Sequence, residues 1–339
     1  MTRVLVTGGS GFIGSHLVET LLRRGDDVTC LVRPTSDRKL LESLDVRLVV
    51  GDVTDSKSLS AAMVQICPDV VHHVAGRIAA WKSRQFFQDN TDGVRNMARA
   101  CADCSSPPTL IIVTSLAGSG PAVHGRPRTE ADTPEPISAY GRSKLAGERA
   151  ARQFAQRVPI TIVRPPIVVG PRDRSLLPIF RAVGRFGFFV TFGADDFQLA
   201  MIYVSDLVDA LVLAAERGRR LPPDPDDDTG EGCYFVACDR TPSLADFGRL
   251  LAAPLGRRRV RIIHLRRRMA WLSGKSADWF ARSMHRPLVF SSDKIKEALA
   301  GPWLCETDKA QEELGFAAST SLVQAIELTA RWYREHRWV

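Results

Sequence analysis

Eight residues near the start constrain this chain more than any other feature: Thr7-Gly8-Gly9-Ser10-Gly11-Phe12-Ile13-Gly14, entered from the run Arg3–Thr7 and left into a helical period. They satisfy G-x-G-x-x-G at Gly9, Gly11 and Gly14, and G-x-x-G-x-x-G at Gly8, Gly11 and Gly14. Such glycines permit a tight turn and let the backbone approach a pyrophosphate. The helix that starts at Phe12 and Ile13 turns its N–H groups and positive dipole end toward that pyrophosphate. Alone the pattern is weak; between a first strand and a first helix it marks a dinucleotide-binding turn.

The chain then repeats the same unit. Short apolar runs at Arg3–Thr7, Val28–Arg33, Val46–Gly51, Val70–Val74, Thr109–Thr114 and Ile160–Arg164 alternate with helical periods near 12–24, 56–66, 86–103 and 138–157. Continuous apolar strands separated by helices require a parallel sheet covered on both faces. The expected fold is therefore α/β: a Rossmann doubly wound parallel sheet over 1–165, with a smaller, mostly helical C-terminal substrate lobe from 166–199 and 240–339. Two lobes also suit 339 residues, since a single core stops growing near ~250–300. The pair Ala200–Val204 and Asp206–Glu216 is expected to return 200–217 to the sheet, and Pro222–Gly232 reads as a solvated acidic loop.

The end of the second strand selects between nicotinamide cofactors. An acidic residue there accepts from a ribose 2′-hydroxyl and repels a 2′-phosphate; an arginine does the reverse. Here the strand ends in Arg33, with Ser36 in the following turn, so NADP(H) is expected. If Arg33 only stacks on adenine, NAD(H) remains open. Asp52 and Val53, after the third strand, are placed for the adenine edge, although Asp52 suits a helix cap equally well. Further on, Tyr140-Gly-Arg-Ser-Lys144 opens a helix, and the i, i+4 spacing sets Tyr140 and Lys144 on one face. An ammonium there favours phenolate, which lets the tyrosine exchange a proton with a substrate oxygen. Lys144, with Tyr140 beside it, is also placed to bind the cofactor at its nicotinamide ribose. Ser115, just beyond the fifth strand, is placed to hydrogen-bond the same oxygen.

These pieces resemble an extended short-chain dehydrogenase/reductase, of the group that holds NAD-dependent epimerase/dehydratases, 3β-hydroxysteroid dehydrogenases and dihydroflavonol reductases. The matching stretches are TGGSGFIG (7–14), GDVTD (51–55), HHVAG (72–76), NTDGVRN (90–96), VTSLAGSGP (113–121), SAYGRSKLAGE (138–148), RPPIVVGP (164–171) and MIYVSDLVDA (201–210). The resemblance implies Ser115, Tyr140 and Lys144 as catalytic, and Ala75, Asn90 and Ile167 as lining the cofactor near its nicotinamide. It further implies a homodimer through the helices near 86–103 and 138–157. The C-terminal lobe matches loosely, in DKIKEAL (293–299), ELGF (313–316) and WYREHRW (332–338).

Members that act on nucleotide sugars usually carry Arg-Asp where this chain has Leu199-Ala200, and an apolar pair cannot neutralise a diphosphate. The segment Leu176–Phe192 reads either as lobe core or as the wall of an apolar pocket, rich in Phe and Ile at 179, 180, 186, 188, 189 and 192. Against the pocket stand Arg172, Arg174, Arg181 and Arg185, any of which could replace the absent diphosphate arginine. The expected function is an NADP(H)-dependent oxidoreductase. It moves hydride between the nicotinamide and a secondary alcohol or ketone of a hydrophobic small-molecule substrate, sterol-, steroid- or flavonoid-like. The alternative is a nucleotide-sugar epimerase or dehydratase with tightly bound NAD.

The formal net charge is +8, from 46 Lys and Arg against 38 Asp and Glu. Seven arginines fall in 257–268, followed by Met269, Trp271, Leu272, Trp279 and Phe280. This reads as an interfacial, membrane-peripheral segment or as a solvated joint paired with Asp224–Asp228. No nucleic-acid partner is expected, because no recognised module accompanies the charge. No run has the roughly 18 apolar residues of a membrane span, and seven cysteines without framework spacing suggest reduced thiols, so the expected setting is cytoplasmic. Cys101-x-x-Cys104 lacks a second ligand pair and His264 and His285 stand alone, so no metal is expected.

Overall fold

The structure is a computed structural model that describes residues 1–122, 126–192, 197–227, 229–284 and 291–339. Gly193–Asp196 before the Leu199-Ala200 pair, Asp228 of the acidic loop and the isolated His285 lie outside the described residues. The strands are β1 (Arg3–Thr7), β2 (Asp27–Val32), β3 (Arg47–Val50), β4 (Val70–His73), β5 (Thr109–Val113), β6 (Ile160–Arg164), β7 (Ile167–Val169), β8 (Phe188–Phe192), β9 (Met201–Tyr203), β10 (Cys233–Phe235) and β11 (Arg261–Leu265). The helices of the first half are α1 (Phe12–Arg23), α2 (Ser56–Ile66), α3 (Ser83–Phe87), α4 (Gly93–Ala102), α5 (Leu116–Ser119) and α6 (Ala139–Arg152). Those of the second half are α7 (Leu177–Phe186), α8 (Val204–Arg217), α9 (Leu244–Leu250), α10 (Arg267–Ser283), α11 (Ser292–Leu299), α12 (Asp308–Leu314) and α13 (Leu322–Glu335).

Seven strands form one parallel sheet in the order β3-β2-β1-β4-β5-β6-β10. The order reverses between β1 and β4, which opens a crevice at the carboxyl ends of those strands. Side chains alternate across the sheet, and both faces are apolar. Val4 and Val6 pack with Leu17 and Leu21 of α1 and Leu207 and Leu211 of α8, whereas Leu5, Leu110 and Ile112 pack with Leu59, Met63 and Met97 on the other side. This is the Rossmann sheet that the alternation of strand and helix required.

Two local expectations differ from what is found. The strand at 200–204 does not extend the main sheet: β9 pairs with β7 in a separate two-stranded ladder, and the seventh position is taken by β10. Pro165 and Pro166 explain the break, because neither carries an N–H to continue the β6 ladder. The helix of that pair, α8, does lie on the sheet through Leu207 and Leu211. The helical period near 86–103 is interrupted by a π-turn at Gln88–Asp92, where Asn90 turns its amide inward. The smaller lobe has its own core of Phe180, Phe189, Phe247, Ile326 and Tyr333. Asp206 joins it to α8 by accepting from the backbone N–H and hydroxyl groups of both Ser319 and Thr320.

His72 and His73 sit side by side on β4 with about 1% of their surface exposed. Thr7 Oγ1 lies 3.0 Å from His73 Nδ1, while His72 Nδ1 and His73 Nε2 have no hydrogen-bond partner among the described residues. Burial depresses His72 to about 4; burial, reinforced by Lys144, depresses His73 to about 3. The unfolded chain takes up these protons near ~6.5, well before the folded one does. Stability is thus full above that value and declines as pH falls toward 4, by at most about 1.4 kcal/mol per unit for each histidine. Urea unfolding at pH 7 and pH 5 should show this loss, and His72→Asn should reduce it. An unchanged slope in the variant would contradict the assignment.

Candidate active site

The glycine turn leaves β1 with Gly8 at φ +74°, and Gly11 N–H closes on Gly8 O at 2.9 Å. A Cβ on Gly14 would stand 2.1 Å from Gly8 O, and one on Gly8 would stand 2.7 Å from Ala75 N, so neither position admits a side chain. Ala75 N–H donates to Thr7 Oγ1 at 3.2 Å, which holds the 74–76 loop against the turn. No side chain caps α1 at Gly11, and no acidic residue stands in its first turn. That is the arrangement in which a helix N-terminus favours an anion such as a pyrophosphate.

Arg33 is exposed at the end of β2, and its N–H is held by Ser36 Oγ at 3.1 Å. Its guanidinium makes no ion pair among the described residues. Asp52 turns back on its own loop, accepting from Thr54 N–H at 2.9 Å and Thr54 Oγ1 at 2.8 Å. The cap of α2 is Asp55, not Asp52. Val53 lies beneath the tight start of α4 at Gly93, and Ile167 begins β7 just past the Pro165 carbonyl that accepts from Leu116 N–H.

Ser115, Tyr140 and Lys144 converge. Ser115 caps α5, and its hydroxyl reaches the Tyr140 phenol, where it favours the phenolate. Lys144 is buried, donates to Val113 O at 3.2 Å and lies 6.0 Å from the Tyr140 ring centroid. Asn90 braces this group: its amide oxygen accepts from Arg77 N–H at 2.8 Å, and its nitrogen donates to Arg77 O and to Ser143 Oγ. The electrostatics differ from the simple i, i+4 expectation. Burial pushes the Tyr140 phenol above its ordinary value, with Lys294 and Ser115 pulling the other way, and burial brings Lys144 down to about 8. Desolvation penalises both charged forms, and it is the largest cause of each shift.

Lys294 was not anticipated. Its ammonium lies 4.8 Å from the Tyr140 ring centroid, nearer than Lys144, and pairs with Glu297 at 2.7 Å. Asp293, its neighbour on α11, accepts from Ala139 N–H at 3.0 Å and Tyr140 N–H at 3.2 Å, while Ser138 donates to Glu297 at 2.5 Å. One helix of the smaller lobe thus caps the helix that carries Tyr140. The only sequence signal was the loosely matching DKIKEAL, some 150 residues away in the chain.

Elsewhere around Tyr140 the surface is apolar: Phe86 meets it edge-on at 5.9 Å, with Ala117, Ala139, Ala80 and Trp303 alongside. The Phe-rich run is mostly lobe core instead of pocket wall. Phe180 packs on Tyr333, Phe189 on Phe247, and Phe186 is exposed and stacked on Phe188. Arg172 is engaged by Glu19 and Ser15, Arg174 lies over Trp338, and Arg181 donates to Trp338 O. Leu199 and Ala200 are buried, Ala200 against Leu116 and Phe235.

A doubly wound sheet with a glycine cradle at its switch point and a Ser, Tyr, Lys group beside it defines a nicotinamide-dependent short-chain dehydrogenase/reductase. The chain belongs to the NAD dependent epimerase/dehydratase family, whose model matches residues 4–226. It is similar to a ceramide reductase of Caulobacter vibrioides, 28% identical over 99% of this chain and 96% of the relative. It is also similar to the decarboxylating sterol-4-alpha-carboxylate 3-dehydrogenase of Saccharomyces cerevisiae, 24% identical over 98% of each. Among solved structures, UDP-glucose 4-epimerase of Thermotoga maritima shares the fold with a TM-score of 0.78, at 22% identity over 98% of this chain and 99% of that one. With named dehydrogenases and reductases among its relatives, the protein is an NAD(P)-dependent oxidoreductase.

Beneath the site, Glu148 and Arg164 form a buried ion pair at 2.6 Å, and Glu148 also accepts from Thr114 Oγ1 at 2.6 Å. Removing one partner leaves a buried charge uncompensated. Glu148→Leu should destabilise the protein by about 3–5 kcal/mol, whereas adding Arg164→Met should restore most of that loss. Urea titrations of the single and double variants decide it: equal losses in both would show that packing, not the pair, sets the cost.

Proposed function

We propose that this protein is an NADP(H)-dependent reductase or dehydrogenase of a hydrophobic secondary alcohol or ketone. The observation that carries the reading is the apolar enclosure of Tyr140 by Phe86, Ala80, Ala117 and Trp303. The engagement of Arg172, Arg174 and Arg181 elsewhere, together with the buried Leu199 and Ala200, supports it, since a nucleotide-sugar diphosphate would need charged partners. Two relatives are named for a ceramide and a sterol carboxylate, which fits a lipid-like substrate of the sterol or steroid kind.

When bound, the nicotinamide supplies or accepts the hydride. In the reducing direction Tyr140 gives its phenolic proton to the substrate oxygen as the carbonyl becomes an alcohol. Its raised pKa keeps that proton in place at neutral pH. Ser115 donates a hydrogen bond to the same oxygen, and Lys144 and Lys294 stabilise the phenolate that remains. Gly8, Gly11, Phe12, Ile13 and Gly14 cradle the pyrophosphate, Ala75, Asn90 and Ile167 line the nicotinamide end, Asp52 and Val53 the adenine, and Arg33 with Ser36 takes the 2′-phosphate. We assign a homodimer contact to the helical stretches over 86–103 and 138–157, where Phe87, Leu145 and Ala146 line an open groove. The proposed setting is cytoplasmic; among the described residues no helix is long and apolar enough to cross a membrane.

Tyr140→Phe should lower turnover by about 100-fold or more while NADPH binding persists; retained turnover would remove Tyr140 from its role. Arg33→Ser should weaken NADPH about 10- to 100-fold and leave NADH unchanged, measured by calorimetry, and equal effects on both would refute the 2′-phosphate assignment. Thermal protection by a UDP-sugar, with no NADPH oxidation on any hydrophobic ketone, would favour the nucleotide-sugar alternative.

A further inference from the structure

The net charge of this protein is local. Residues 257–284 hold nine of the 46 Lys and Arg and one of the 38 Asp and Glu, so the rest of the chain, with 37 of each, is neutral. None of the seven arginines between 257 and 268 makes an ion pair among the described residues. The pairing expected with the acidic loop is absent at Asp224–Asp227. Arg257 instead donates to Gly184 O and Arg185 O.

The charge borders an amphipathic helix. On its inner side α10 buries Ala270 and Gly274, where a Cβ would come within 3.0 Å of Ile295 Cγ1 and Ser292 Cα. Asp278, its one acid, is used there, accepting from Ser292 N–H at 3.2 Å. On the other side Met269 is 53% exposed, Leu272 66%, Trp279 72% and Phe280 49%. At 3.6 residues per turn these four share an arc of about 100°. Arg268 and Lys275 flank the arc on one side, Arg266 and Arg267 head the helix, and all four are exposed. A face that presents Met, Leu, Trp and Phe to water is costly unless something covers it.

We propose that α10 is a docking helix that seats the protein on an anionic bilayer. Met269, Leu272, Trp279 and Phe280 enter the headgroup–acyl boundary, and Arg266, Arg267, Arg268 and Lys275 meet lipid phosphates. Charge complementarity selects this occupant. Two copies set face to face would oppose two segments of the same strong positive charge, and a nucleic acid would leave the apolar arc uncovered. Because α10 rests on α11, which caps the Tyr140 helix, the docked surface stands one helix away from the substrate-facing tyrosine. Docking is a property of the surface and does not depend on the oxidoreductase reading.

Sedimentation of the whole protein with vesicles tests it, using phosphatidylcholine alone or mixed with phosphatidylglycerol. Binding is expected to the mixed vesicles only, weakening as salt rises. Leu272→Ser with Trp279→Ser, and separately Arg267→Ser with Arg268→Ser, should each reduce partitioning on the order of tenfold with an unchanged melting temperature. Should the variants fold poorly, quenching of the wild-type tryptophans by bromolipids in mixed vesicles reads the insertion directly. Absent sedimentation and quenching, equal binding to neutral vesicles, or variants that bind like wild type would overturn the proposal. So would a lipid-independent dimer abolished by Trp279→Ser, which would assign the face to a second copy. The readout involves no turnover, so its failure and the failure of the enzymatic assignment remain distinct.

Discussion

The buried pair of Glu148 and Arg164 is the contact on which the site's geometry depends. Glu148 lies one turn beyond Lys144 on α6, and through its carboxylate α6 is held to β6 at Arg164 and to the end of β5 at Thr114. Thr114 adjoins Ser115, and Arg164 also stacks over Phe235 of β10. One carboxylate thereby sets the spacing of the helix bearing Tyr140 and Lys144 against the strand end bearing Ser115. A buried ion pair of this kind need add little net stability over an apolar packing of the same volume. What it adds is position, since charge-assisted hydrogen bonds in a fork geometry tolerate little displacement.

The second determinant comes from the opposite lobe. Burial alone would leave the Tyr140 phenol hard to ionise, and the ammonium closest to its ring belongs to α11. Asp293 accepts the first amides of α6 on the same side, so the helix is capped by a carboxylate from the smaller lobe. A proton donor needs to hold its proton at neutral pH and still tolerate losing it. In the role proposed for Tyr140, desolvation supplies the first requirement, and Lys294 and Ser115, which pull its pKa back down, meet the second. If Tyr140 has the role proposed for it, its proton chemistry is a property of both lobes and not of the Rossmann sheet alone.

These two contacts show what was legible in the sequence. The glycine turn, the strand–helix alternation and the Tyr140–Lys144 spacing are local, and each could be read from fewer than twenty consecutive residues. The contacts missed are long-range or short of signal. Three residues at Cys233–Phe235 are too few to show a period, yet they complete the sheet because β6 has an open edge. Asn90 looks like one polar residue in a helical run, and only the fold reveals that its amide, within a π-turn, bridges Arg77 and Ser143. The Phe-rich run at 176–192 invited a pocket reading, but a small lobe must bury its own core. The apolar surface at Tyr140 comes instead from Phe86 and Trp303, more than two hundred residues apart.

The net charge, too, takes its meaning from where the fold puts it. A uniform excess of arginine would describe composition and nothing more. A neutral body bearing one segment that carries the whole excess describes a surface with a direction. That segment is continuous with the helix pair that reaches Tyr140. A hydrophobic substrate dissolved in a bilayer is scarce in water, so a reductase that meets it at the membrane shortens the path from lipid to active site. On the proposed reading, the apolar enclosure around Tyr140 and the apolar, basic face one helix away are the two ends such a path requires. The first is built from both lobes, by Phe86, Ala80 and Ala117 on one side and Trp303 on the other, and the second by α10 of the smaller lobe alone.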